Sequence, residues 1–167
     1  MIPVERGYDK TQERRLYSLE LSSAEDVPDG LVFPSRHFAC LIAWDARLAS
    51  ADSISAIIVP LLKAGASYFV CWGPDCEHVH DIIDEVVSTE GEGIGIPDGT
   101  CIMISWHDSE SLEEALLFCL MNTCPDPRYE DTTRTALAIS VGEREWNNVI
   151  CSALDDPVEF VRRINEK

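Results

Sequence analysis

No lysine or arginine occurs between Lys63 and Arg128, a span of 64 residues that carries 13 aspartates and glutamates. The whole chain has 13 Lys and Arg against 30 Asp and Glu, a formal net charge of −17. That one span supplies −13, while residues 1–63 and 128–167 contribute −2 each. Missing cations argue against nucleic acid and anionic membrane as partners, since both are held by Lys and Arg. A basic protein partner, or simply high solubility, suits such a surface better. No apolar run approaches the ~18 residues of a membrane span, and the amino end, Met1-Ile2-Pro3-Val4-Glu5-Arg6, has no signal-peptide core. A cytoplasmic protein is expected. No Gly-x-Gly-x-x-Gly follows the first strong strand, where Trp44-Asp45-Ala46-Arg47 stands instead. A Walker loop and a Gly-x-Ser-x-Gly elbow are missing too, so no cofactor is expected. Cysteine is not scarce, but seven is an odd number and the spacing matches no disulfide framework. The cysteines are read as reduced. Cys40, Cys71 and Cys101 fall in predicted strands and Cys119 and Cys151 on helices, where thiols pack as small hydrophobes.

What is present reads as a single α/β domain, 1–167, with residues 1–36 as an N-terminal wrapping segment and 37–167 as the core. A length of 167 residues can bury about two-thirds of the unfolded surface. In the N-terminal part, Arg15–Leu21 alternates weakly and fits an edge strand, and Pro34 discourages a central one after it. Phe38–Trp44 is a continuous apolar run, as expected of a strand covered on both faces. Asp52 or Ser53 can cap a helix through Ile57, Ile58, Leu61 and Leu62, kinked at Pro60 and closed by Gly65. Tyr68–Trp72 is the second core strand. Asp75–Val87 then sets Val79, Ile82, Ile83 and Val86 at helical spacing. Ser88–Thr100, with four glycines, reads as a loop. Cys101–Trp106 is the third strand, and Ser111-Leu112-Glu113-Glu114 is a capping box for a helix through Leu120. Thr135–Val141 is the fourth strand. Two further helices follow, one marked by Trp146, Val149 and Ile150, the other started by Pro157. Alternating strands and helices predict a small three-layer, doubly wound domain: about four parallel core strands, helices on both faces, and an extra N-terminal edge strand.

At Trp72-Gly73-Pro74-Asp75-Cys76, and again from Trp106-His107-Asp108 into the acidic helix start at Glu113-Glu114, the chain resembles a bacterial family of unknown function. That family carries a Trp-Gly-x-Asp-Cys turn and a later Trp-His segment. The resemblance covers roughly residues 38–141. It implies a small α/β fold and no known activity.

Three core strands end in tryptophan followed by an acid: Trp44-Asp45, Trp72 with Asp75, and Trp106 with Asp108. Carboxyl ends of parallel strands share one margin of the sheet, where ligands usually sit. Indole faces there can stack on rings or cations, and crowded carboxylates can raise one another's pKa for acid/base work. Equally, the tryptophans can plug the margin while the acids cap helices. His107, oriented by Asp108 or Asp45, is a candidate general base, and Cys76 at a helix start is a candidate nucleophile, although Asp75 and Glu77 oppose its ionisation. Cys71, Cys76, His78 and His80 are dense in metal-ligating atoms, but they lack the second ligand pair of a structural zinc site, so no metal is expected. Glu77, Asp81, Asp84 and Glu85 share the outer side of one helix.

The leading expectation is an acidic, non-enzymatic module that captures a basic protein through Asp75, Glu77, Asp81 and Asp84, with Trp72 or Trp106 as anchor. An immunity protein neutralising a cationic bacterial toxin is its most concrete form. The alternative is a small-molecule hydrolase or ligand sensor at the strand ends, using Asp45, His107 and Asp108. A third expectation is a homodimer formed through the apolar helix Leu112–Met121.

Overall fold

The apolar runs become the strands they promise, and a late one fits between two early ones. The computed structural model describes residues 1–167. In chain order its elements are β1 (Val4–Asp9), β2 (Arg14–Leu21), β3 (His37–Trp44), α1 (Ala51–Ala64), β4 (Ala66–Trp72), α2 (Cys76–Ile94), β5 (Met103–His107), α3 (Leu112–Met121), α4 (Pro127–Glu130), β6 (Thr133–Val141), α5 (Arg144–Asp155) and α6 (Pro157–Asn165). The strands form one sheet in the order β1-β2-β6-β3-β4-β5. From β2 to β5 every neighbour pair is parallel, and only β1 runs antiparallel, against β2.

Strand alternation divides the core into two layers. On one face, Phe38, Cys40 and Ile42 of β3 and Phe69 and Cys71 of β4 meet Ile54, Ile57 and Leu61 of α1 and Val79 and Ile83 of α2. On the other, Leu41 and Ala43 of β3 and Val70 of β4 meet Leu116 and Leu120 of α3, Ile150 and Leu154 of α5, and Phe160 of α6. This is the three-layer α/β domain that the alternation predicts. From β3 the chain steps outward through α1, β4 and α2 to β5. It then returns across the opposite face through α3 and enters the sheet again as β6, on the other side of β3.

Several details differ from the sequence reading. Arg14–Leu21 is not an edge strand: it lies between β1 and β6, because the outer place is taken by β1. Residues 1–36 therefore supply two strands of the sheet, and only Ser22–Arg36 crosses over it. That crossing is pinned by Phe33, whose ring lies 5.3 Å from Tyr17 and 4.7 Å from Phe38. The cap of α1 is Ser50, whose side chain accepts from the Ser53 amide, rather than Asp52 or Ser53. Helix α2 runs on to Ile94 instead of stopping near Val87. Ser88 and Thr89 return hydrogen bonds to the carbonyls of Asp84 and Glu85, and left-handed Gly95 (φ 100°) ends the helix. The predicted glycine-rich loop is thus half helix.

Candidate functional site

The three strand-end tryptophans share a margin but not a face. Trp44 points toward the α1 and α2 layer and is 9% exposed. Trp72 points the other way, donates from its indole N–H to the Glu110 carbonyl at 2.8 Å, and meets Trp146 of α5 edge-on at 5.0 Å. Trp106 returns to the α2 side, where its ring lies 4.5 Å from that of His80, and it is 42% exposed. The three indoles do end at one margin, as expected, but Trp72 turns to the face opposite Trp44 and Trp106. Register explains the split: Trp72 pairs with His107, and Trp106 with Cys71, so neighbouring tryptophans fall on opposite sides of the pleat.

Of the three acids, Asp75 and Asp108 both lie near the Cys76 thiol. Asp45 is held by Arg47, which donates from Nε to Oδ1 at 2.9 Å and from Nη2 to Oδ2 at 2.6 Å. Those bonds hold the Asp45 carboxyl below its usual range. Asp45 is consequently an ion-paired turn residue rather than a member of a proton-sharing set. Asp75 occupies the N-cap position of α2 in a left-handed conformation (φ 62°), with no side-chain capping bond. Beside it, Gly73 (φ 116°) packs so closely on Trp44 that a Cβ would collide with the Trp44 carbonyl. The Ala46 amide also donates to the Pro74 carbonyl at 2.9 Å, which ties the β3–α1 turn to the β4–α2 turn.

His107 is 6% exposed, and both its ring nitrogens are engaged. Nδ1 lies 3.0 Å from Glu110 Oε1, and Nε2 lies 3.0 Å from Ser105 Oγ. The ring packs on Phe118 of α3 at 4.6 Å. Its carboxylate partner is Glu110, not Asp108 or Asp45, so the catalytic trio Asp45, His107 and Asp108 is not assembled. A serine–histidine–glutamate line resembles a nucleophile with its base, yet none of the principal cavities opens on Ser105. Cys76 is 1% exposed, and its thiol is pushed up first by burial and further by the charges of Asp108 and Asp75. A thiol so placed is a poor nucleophile. Cys71 lies in the core, His80 turns to Trp106, and no three His, Cys, Asp or Glu side chains converge as a metal site.

Two features remain. The first is a crevice where α1 leaves β3 toward one face and α5 leaves β6 toward the other, the switch point of a doubly wound sheet. It holds a cavity of about 620 Å³ whose lining includes Ser23, Glu25, Trp44, Asp45, Arg47 and Glu143. Sequence reasoning found Trp44 and Asp45 but not Glu25 or Glu143. Their place depends on β6 entering beside β3, which no local pattern announces.

The second is the flank of α2 beside β5. The ring of His80 meets Trp106, and Nδ1 lies 3.0 Å from Asp81 Oδ1. Glu77 stands three residues before His80 and Asp84 four after it, which puts both on the same side of the helix. Glu77, Asp81 and Asp84 are exposed. On helix α3, Leu117, Phe118 and Met121 are half-buried. Leu112, Ala115, Leu116, Cys119 and Leu120 are buried, and Leu117, Phe118 and Met121 pack against the same core. No helix is long and apolar enough to cross a membrane.

No curated protein and no solved structure matches the chain. A family match does exist, and it reaches beyond the tryptophan-bearing turns at both ends. It spans residues 16–157, most of the sheet and both helical layers, so the chain belongs to the family described as a domain of unknown function, DUF7684.

Proposed function

We propose that the protein is a non-enzymatic binding module whose acidic face captures a basic protein, most concretely an immunity protein that neutralises a cationic bacterial toxin in the cytoplasm. One observation carries the reading. Glu77, Asp84, Glu85, Glu90, Glu92 and Asp98 are all exposed and none stands in an ion pair. Elsewhere several acids do find cations: Asp155 pairs with Arg6, Glu5 with Arg15, and Glu159 with Arg162. A one-signed, unneutralised face costs stability through self-repulsion and speeds capture of an opposite-signed partner. Nucleic acid and anionic membranes are not partners in this reading. The test is to use the chain as bait in lysate of its source organism at low and at high salt. A basic protein retained at low salt and released at high salt is the expected result, and a low-salt eluate without one ends the proposal.

The crevice between β3 and β6 favours a second reading, a ligand-sensing site. Its volume falls within the roughly 300–1,000 Å³ of small-molecule pockets, and its polar lining suits a small polyhydroxylated or amine-bearing ligand. Binding there would change the emission of Trp44, and the change would vanish in Trp44→Phe. A screen of such ligands that moves neither emission nor melting temperature removes this reading.

A further inference from the structure

The acidic-capture reading leaves open how the partner is held, and the inference below rests on that reading. β5 is hydrogen-bonded to β4 alone, and its other side is the open end of the sheet. Apart from the β4 ladder, no turn, loop or side-chain hydrogen bond reaches the backbone of Met103, Ile104, Ser105 or Trp106. A row of free donors and acceptors is a template for another strand, and natural sheets blunt it with charge, proline, bulges or a covering element. The other edge is blunted in this manner. β1 has a register shift between Glu5 and Gly7, carries Arg6 paired with Asp155, and packs against α5 and α6. β5 lacks the bulge and the ion pair, and the helix on its face, α2, leaves its outer backbone unpaired. Its sequence Met103-Ile104-Ser105-Trp106-His107 holds no proline and no Lys, Arg, Asp or Glu, and its register with β4 is unbroken. Met103 and Trp106, among the few large apolar side chains that are exposed, both belong to it.

We propose that this open edge of β5 receives an extended basic segment of the partner as a seventh strand. Backbone pairing along about five residues supplies affinity, and alternating side chains supply specificity. Charge chooses the occupant. On the α2 side an added strand runs beside Trp106, with Glu77, Asp81 and Asp84 on the flank above it. On the α3 side Glu110, bonded to His107, is 41% exposed at its side chain. Lysines or arginines on either face of the added strand meet carboxylates, and a guanidinium can lie on the open face of Trp106. A second copy of this chain is disfavoured as the occupant, because pairing β5 with itself brings the same acids together.

The test uses a capped hexapeptide of alternating arginine and valine, its glutamate–valine counterpart, and cytochrome c as a folded basic protein. Backbone hydrogen exchange is followed residue by residue at low salt. The arginine–valine peptide is expected to protect amides within Met103–Trp106 by roughly tenfold or more. Asp81→Lys with Asp84→Lys is expected to weaken its binding by roughly tenfold, while the glutamate–valine peptide does nothing. Both substitutions are on exposed helix positions, and Trp106→Ala offers an independent loss of affinity. Binding of the peptide or of cytochrome c without protection in β5 overturns strand addition and leaves acidic capture standing. Binding of neither overturns both. Protection that appears in the chain alone at high concentration, with a doubled mass, makes a second copy the occupant and overturns the proposal.

Discussion

The indole of Trp106 lies 4.5 Å from the imidazole of His80, their planes tilted by 59°. That contact fixes which side of α2 looks along the open edge of β5, and it carries Glu77, Asp81 and Asp84 with it. Like charges three and four residues apart on one helix repel by about 0.2–0.5 kcal/mol per pair. Glu77→Gln, Asp81→Asn and Asp84→Asn together are therefore expected to raise stability by about 0.5–1 kcal/mol at low salt. Added salt should shrink the gain. Urea unfolding at two ionic strengths checks it, and a loss of stability would mean that these acids hold the fold rather than strain it.

Arg14 is 4% exposed and joins three elements at the amino end of the sheet. Its guanidinium donates to the Thr133 carbonyl at 3.3 Å, to Thr123 Oγ1 at 2.6 Å and to the Thr123 carbonyl at 3.0 Å, and Asp9 attracts it as well. Replacing it by methionine leaves buried acceptors unmet and is expected to cost about 2–4 kcal/mol. A cost below about 0.5 kcal/mol would show that water takes over those bonds.

His37 gives the stability a pH dependence of known direction. Burial, and then the charge of Arg36, lower its imidazole pKa from 6.5. The unfolded chain therefore takes up that proton at a higher pH than the folded one does. Stability from this ring is full above pH 6.5, falls as pH drops below it, and levels off once the folded ring is protonated. His37→Gln is expected to flatten this part of the profile in urea titrations between pH 7.5 and 5.5. An unchanged slope would assign it to other groups.

Two glycines should respond in opposite ways to alanine. At Gly73 a Cβ meets the Trp44 carbonyl and φ is 116°, so Gly73→Ala is expected to cost about 1–3 kcal/mol. Gly93 lies within α2 with open space around it, and Gly93→Ala is expected to gain about 0.5–1 kcal/mol. Equal effects would mean that the β3–α1 and β4–α2 turns yield to each other.

The Ser105–His107–Glu110 line is expected to be structural. A fluorophosphonate probe should leave Ser105 unlabelled, and His107→Ala should cost about 1–3 kcal/mol through its lost bonds. Labelling at Ser105 by mass spectrometry would reopen a hydrolytic reading.

Legibility in the sequence followed the range of the forces involved. Phe38–Trp44 and Tyr68–Trp72 were plain because a strand covered on both faces is apolar at every position. The capping box at Ser111 was plain because its two hydrogen bonds join residues three apart. The fate of the strand-end residues was not, since it depends on register. Whether Trp72 and Trp106 share a face follows from which residue each one pairs with across the β4–β5 ladder. Residues 1–36 were obscure for a related reason. β2 is a central strand but only seven ladder positions long against β6, and its weak alternation, with Tyr17 and Glu20 on it, resembles an edge. The overlong α2 was missed because its glycines oppose helix locally, while the packing of Ile96 on Gly91 favours the extension.

β2 and β3 share no hydrogen-bonded ladder; each pairs with β6, which arrives only at Thr133–Val141. A nascent chain that has not yet reached β6 therefore holds two half-sheets with nothing between them. The sheet cannot close until β6 has been made, and until then both raw flanks of the gap stay open to other chains.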